Sequence, residues 1–301
     1  MNPYYLLVLL GVAMVSYSGP LVKGALLAGA NPITVALLRM VLSFALLLPV
    51  MCVPGKGHAK PPIQGLRSLT RRQWGWSLLA SLCLALHYLT WMTSLDATST
   101  FASVALVCTQ PLFVAALSGV VLHERMPRTA RPGAIVALVG AVLIGMNSIA
   151  GLSGDISGDL LALAGAACMA GHWLCSRYAR RTVPALPYTL LVYGQTALFL
   201  GLLLPVCGGF RVTGTALWYI LSLAAGSTLL GHLMFTIALG RVTATVVSFA
   251  LLGEPVGAML WSLLMFGEKP TALLLVGGSV VLVGLVLYTA GSMRQTAEAK
   301  A

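Results

Sequence analysis

The sequence predicts an all-α membrane protein whose ten transmembrane helices form two inverted five-helix repeats. Three observations lead there. Of its 301 residues, 58% are hydrophobic and 8% are charged, against about 25% charged in an ordinary soluble domain. The bilayer must therefore serve as part of the solvent. The apolar residues fall into ten runs, each close to the roughly 20 residues that a spanning helix needs. Finally, the second half of the chain repeats landmarks of the first.

Pro, Gly and charge clusters punctuate the runs. In order they span 4–28, 32–53, 74–94, 98–122, 130–147, 158–178, 186–207, 215–238, 242–266 and 271–291. They are too long for lipid-facing barrel strands and lack the alternation of such strands. The first has no Lys or Arg ahead of it and is longer than a signal-peptide core, so it is expected to stay as a helix. Most connections are short. The exception, 54–73, carries Lys56, Lys60, Arg67, Arg71 and Arg72 around Pro61-Pro62 and is expected to be a polar surface loop. The six cysteines, Cys52, Cys83, Cys108, Cys168, Cys175 and Cys207, sit in or beside apolar runs without metal-ligand spacing. They read as small packing residues, and no metal or cofactor is expected.

The net charge of +11 does not point to a nucleic-acid partner, because the basic residues fill the gaps between runs. With a cytoplasmic N-terminus, the inner side holds the five of 54–73 together with Arg125, Arg128, Arg131, Arg177, Arg180, Arg181, Arg241, Arg294 and Lys300. The outer loops then hold Arg211 and Lys269. This positive-inside bias predicts a multi-pass protein of the cell membrane with both termini cytoplasmic.

The repeat is visible in segments four and nine, TSTFASVALVCTQPLFVAALSGVVLHERMP and TATVVSFALLGEPVGAMLWSLLMFGEKP. A shift of 144 residues places Pro111 on Pro255, Glu124 on Glu268, Gly133 on Gly277 and Gly140 on Gly284. Leu48-Pro49-Val50 matches Leu204-Pro205-Val206 at a longer shift. Five helices per half is an odd number, so the second half crosses in the opposite sense. Such inverted repeats place substrate near mid-membrane, between the halves, and rock one half against the other. The expected units are 1–147, 158–291 and a cytoplasmic tail, 292–301.

The order Pro111, Glu124, Gly133 and again Pro255, Glu268, Gly277, with Arg39 in segment two, resembles the drug/metabolite transporter superfamily, in its ten-helix type with two EamA domains. The resemblance covers about 6–147 and 158–291. One departure is Tyr17-Ser18-Gly19-Pro20, where the family often carries Trp-Gly. The resemblance implies a secondary transporter that exports or takes up amino acids or other small metabolites on an ion or substrate gradient; export is the expected direction, and no enzymatic activity is expected.

Ionisable groups inside the bilayer cost about 2.5–3.5 kcal/mol each on insertion scales and mark function by default. Glu254 stands mid-way along segment nine, before Pro255, whose missing N–H opens the helix. It is expected to face substrate, a proton or a cation; the plainer alternative is a neutral, hydrogen-bonded structural carboxyl. Its counterpart is Gln110, before Pro111. Arg39 lies about 10 Å from the outer end of segment two, where it either snorkels or counters a carboxylate. Lys23, nearer the rim, reads as an interfacial anchor.

His87, His172 and His232 lie within segments, with His87 and His232 at mirrored depths. They can carry protons or simply pack. Trp91, Tyr88 and Trp173 line a cavity, anchor at an interface or pack. Glu124 and Glu268 end helices on opposite sides and cannot meet, so a helix-end role is expected for each. Gly133, Ala137, Ala141 and Gly145 form a stripe for close internal helix packing.

The partners implied are a small-molecule substrate and the lipid bilayer; monomer and homodimer both stay open. No Walker A motif is present, and neither HExxH nor GxSxG. A channel or a lipid flippase of similar helical architecture is the alternative.

Overall fold

The computed structural model describes residues 3–53, 62–121, 128–152, 154–179, 184–231, 234 and 253–298. Among these, all regular structure is helical. Eight helices are long and apolar enough to cross a membrane, and two shorter apolar ones stand at Thr100–Val114 and Glu254–Phe266. These ten fall, in order, on the ten predicted segments.

Segment one is two helices, α1 (Pro3–Ser16) and α2 (Ser18–Leu27), separated at Tyr17. Segment two is α3 (Pro32–Cys52), started by Asn31, whose side chain accepts from Thr34 N at 3.2 Å, and by Pro32 in its first turn. Segment three, α4 (Arg71–Ala97), begins three residues earlier than its apolar run. Its start is fixed by a capping box in which Gln73 Oε1 accepts from Thr70 N at 2.7 Å and Thr70 Oγ1 accepts from Gln73 N at 3.3 Å. Segment four is broken into α5 (Thr100–Val107) and α6 (Gln110–Val121). Segments five, six and seven are α7 (Arg131–Ile149), α8 (Ile156–Ala179) and α9 (Ala185–Leu203).

Segment eight departs from the sequence expectation of one α-helix. After α10 (Gly214–Ser222) the chain widens into a π-helical segment, Leu223–Gly231. The second part of segment nine is α11 (Glu254–Phe266), and segment ten is α12 (Ala272–Glu298). The last helix thus continues through most of the expected tail. The stretch 54–61 of the basic loop, Glu124, His232 and the first part of segment nine lie outside the described residues.

The inverted relationship is legible in α7 against α12. Gly133 abuts Tyr288 and Gly284, Gly140 abuts Val281 and Gly277, Gly277 abuts Ile144 and Gly140, and Gly284 abuts Ala137. Under the 144-residue shift each contact maps onto another: 133·288 onto 277·144, 133·284 onto 277·140, 140·281 onto 284·137. Numbers rise along one helix as they fall along the other, so the pair is antiparallel. A two-fold axis relating antiparallel helices is perpendicular to them and lies in the membrane plane. A threonine ties each end of the crossing: Thr129 Oγ1 donates to Gly291 O at 2.7 Å, and Thr271 Oγ1 to Asn147 Oδ1.

Much of the remaining packing obeys the same operation. Segments two and seven meet each other, as do four and nine. Segment three against six is matched by eight against one. Segment three against seven is matched by eight against two. The expected glycine stripe on α7 is therefore an internal seam at Gly133 and Ala137, where only hydrogen or methyl fits between the backbones.

Candidate functional site

The polar centre forms where α3, α4, α9 and the π-helical segment meet, with Glu254 at the start of α11 within electrostatic reach of Arg39. Arg39 is 5% exposed, buried among the helices. Its Nε donates to Thr228 Oγ1 at 3.0 Å, and its guanidinium carbon lies 4.6 Å from the centre of the Tyr88 ring. Thr228 is available as an acceptor because its own hydroxyl donates to Leu223 O, five residues back, at 2.9 Å. The π-helical turn thus delivers a pre-oriented lone pair to the arginine, a use typical of such rare segments. Arg39 Nη1 has no partner among the described residues. An unpaired buried donor costs about 1–3 kcal/mol, more when charged, so a native protein that keeps one calls for an explanation.

A second buried donor stands on the next turn of α4. Trp91 is 4% exposed, and its Nε1 has no partner among the described residues. Its ring stacks on His87, with centroids 5.8 Å apart and planes 11° from parallel. His87, Tyr88 and Trp91 share one face of α4 through their three- and four-residue spacing. Tyr193 of α9 is buried within electrostatic reach of both Tyr88 and Arg39.

Glu254 is the first residue of α11, followed by Pro255, and is partly buried. The Arg39 charge acts on its carboxyl, although the two form no hydrogen-bonded pair. A carboxylate in the first turn also faces the positive end of the helix. Gln110 and Pro111 begin α6 in the same way. There the helix tightens: Thr109 N bonds Leu106 O at 3.1 Å and Leu112 N bonds Thr109 O at 2.9 Å, both three residues back, while Pro111 has no N–H to give. Two half-helices therefore start inside the span, one with a neutral amide and one with an acid.

The histidines do something else. His87 Nδ1 lies 2.9 Å from Gly165 O on α8, and His172 Nδ1 lies 2.9 Å from Ala80 O on α4. A carbonyl can only accept, so both Nδ1 atoms carry the proton. His172 continues to Ser176 at 3.4 Å, which receives the Tyr188 hydroxyl at 2.9 Å. Trp173, 47% exposed, points away from the centre. Lys23 is more than a rim anchor: its Nζ donates to Leu95 O at 2.6 Å and Thr98 O at 3.4 Å, at the C-terminal end of α4, where a cation is favoured.

Sequence reasoning missed Thr228 and Gln195. Gln195 on α9 accepts from Ser81 Oγ at 2.9 Å and donates to Ser77 Oγ at 3.2 Å. The signal was present: the offset that carries Leu48-Pro49-Val50 onto Leu204-Pro205-Val206 is 156, and it carries Arg39 onto Gln195. Arg39 on segment two bonds segment eight, and Gln195 on segment seven bonds segment three. The two residues occupy one slot, charged and half-open in the first repeat, neutral and closed in the second.

A multi-pass bundle of two inverted five-helix repeats, with buried polar groups that have no partner among the described residues, is the architecture of a membrane transporter. The EamA-like transporter family model matches the chain at residues 2–146 and again at 156–290, and the chain belongs to that family. A relative from Bacillus subtilis (strain 168), the uncharacterized transporter YwfM, is 26% identical over 238 residues, 77% of this chain and 80% of that protein. A solved crystal structure superposes with a TM-score of 0.63 at 17% identity, covering 98% of this chain and 99% of the other. At that identity the likeness establishes the fold alone. The family is one of transporters rather than enzymes, and its members work in a lipid bilayer on small molecules.

Proposed function

We propose that this protein is a secondary transporter of the cell membrane that moves a small metabolite bearing an anionic group, with an amino acid as the case that uses both charged poles. The observation that carries this reading is the pair of buried donors, Arg39 Nη1 and Trp91 Nε1, that have no partner among the described residues. A carboxylate would satisfy them, and Glu254 would receive an ammonium group. Gln110 shares mid-depth with Glu254, and Pro111 and Pro255 hold the two half-helices open. His87 and His172 support the walls. The transport cycle is alternating access, export is its direction, and the basic loops place both termini in the cytoplasm.

The test is a thermal-shift screen of the purified protein against amino acids, nucleosides and sugar phosphates, paired with flux into liposomes. Amino acids should raise the melting temperature of the wild type, and Arg39→Gln should lose that rise. Flux linear in substrate, with no saturation, would instead identify a channel.

A further inference from the structure

The C-terminal end of α11 is built to turn. Gly267 closes the helix in the left-handed conformation, φ 66°, with its N–H on Leu263 O at 3.0 Å, a geometry that disfavours any side chain. The turn carries Glu268 away from its own helix. Glu268 Oε1 accepts the backbone N–H of Thr100 at 2.8 Å, and Thr100 is the first residue of α5, in the other repeat. The helix-end role expected of Glu268 is therefore exerted on segment four. Segment ten does not use it, because Thr271 caps α12 by accepting from Leu274 N at 3.1 Å.

The first N–H groups of a helix have no partner within it. Ser99 Oγ serves Ala102 N at 3.2 Å, and Glu268 serves Thr100. This bond stands beside an open cleft of about 330 Å³, lined in part by Lys23, Asp96, Thr98, Phe266 and Glu268. Below it, between α5 and α11, lies a void of about 10 Å³ lined in part by Ser262. Ser262 Oγ there, and Thr100 Oγ1 at the start of α5, are buried without partners among the described residues. A permanent seam has its buried hydroxyls paired; this one gains hydration when it parts.

We propose that Glu268 is a releasable latch that holds segment nine against segment four and keeps this mouth of the protein shut. The proposal rests on the alternating-access reading above. In the closed state the carboxylate covers the helix end. Opening moves Glu268 off Thr100 N and exposes both to water, where each finds replacement partners, so the equilibrium can turn within a transport cycle.

Cys108, partly buried at the end of α5 two residues before Gln110, reports the opening. The other five cysteines are replaced by alanine, and the protein is sealed in liposomes. A membrane-impermeant maleimide is added to each side in turn. The side from which Lys269→Cys is labelled defines the mouth. From that side Glu268→Ala should raise the Cys108 labelling rate at least fivefold, and Glu268→Gln, which keeps an acceptor, should fall between. An unchanged rate in Glu268→Ala, with Cys108 reactive, overturns the latch alone. An equal rise from both sides also overturns it, since that is general loosening. A Cys108 unreactive from both sides in every variant sinks the latch and the transport pathway together.

Discussion

His87 and His172 bind one another's helices reciprocally: the first bonds the backbone of α8 at Gly165, and the second bonds the backbone of α4 at Ala80, each at 2.9 Å. Two such straps on an antiparallel pair resist sliding in both directions, because any axial shift breaks both. Either alanine variant loses one strap, at a cost of about 0.5–1.5 kcal/mol, while the carbonyl keeps its own in-helix hydrogen bond. Equilibrium unfolding in mixed detergent should show this loss with substrate affinity retained. Intact stability with lost transport would assign the imidazoles to proton movement instead.

Arg39→Gln should fold at least as well as the wild type, since it removes a buried charge that is only partly satisfied. It should lose ligand-induced stabilisation and saturable flux. Arg39→Lys should not restore them, because an ammonium cannot both reach Thr228 and present a planar edge. Recovery by lysine would show that charge alone is read at this position.

Glu254→Gln keeps the shape of the side chain and removes its charge. If the carboxylate receives a proton or an ammonium group, the variant should fold normally and fail to transport. Wild-type flux in Glu254→Gln would reduce the residue to a structural hydrogen-bonder.

The α7–α12 seam makes a contrasting pair of predictions. Leucine at Gly133 or Gly284 meets opposing backbone, and should cost about 3 kcal/mol or more. Alanine at Gly145, whose added methyl finds only Ile156 at 3.6 Å, should leave the melting temperature within a degree or two.

Topology has its own check. In a variant with its native cysteines replaced, Lys60→Cys should be labelled by impermeant reagent only after the cells are opened. Rapid labelling in intact cells would reverse the orientation.

The number, order and inverted relation of the segments were legible because composition, punctuation and a 144-residue shift act along the chain. Arg39 and Glu254 stood out because a charge in an apolar run is conspicuous at any resolution. Thr228 was invisible for the opposite reason: one hydroxyl in a helix is ordinary until a π-helical turn aims it, and nothing in Leu223–Gly231 announces that turn. The histidine straps were ambiguous for a further reason. A ring that carries protons and a ring that pins a carbonyl have the same sequence signature, and only the partner across the seam distinguishes them.

Had the two repeats stayed identical, a machine that rocks between two facing states would find them equal in energy, each being the other rotated by half a turn. The Arg39 slot breaks that degeneracy, because its mate Gln195 is neutral and already closed by Ser77 and Ser81. Rotation no longer maps the molecule onto itself at the place where cargo would sit. Under the proposed alternating access, the two facing states are then free to differ in resting population and in their hold on a charged passenger, while the gradient alone sets the net direction of flux.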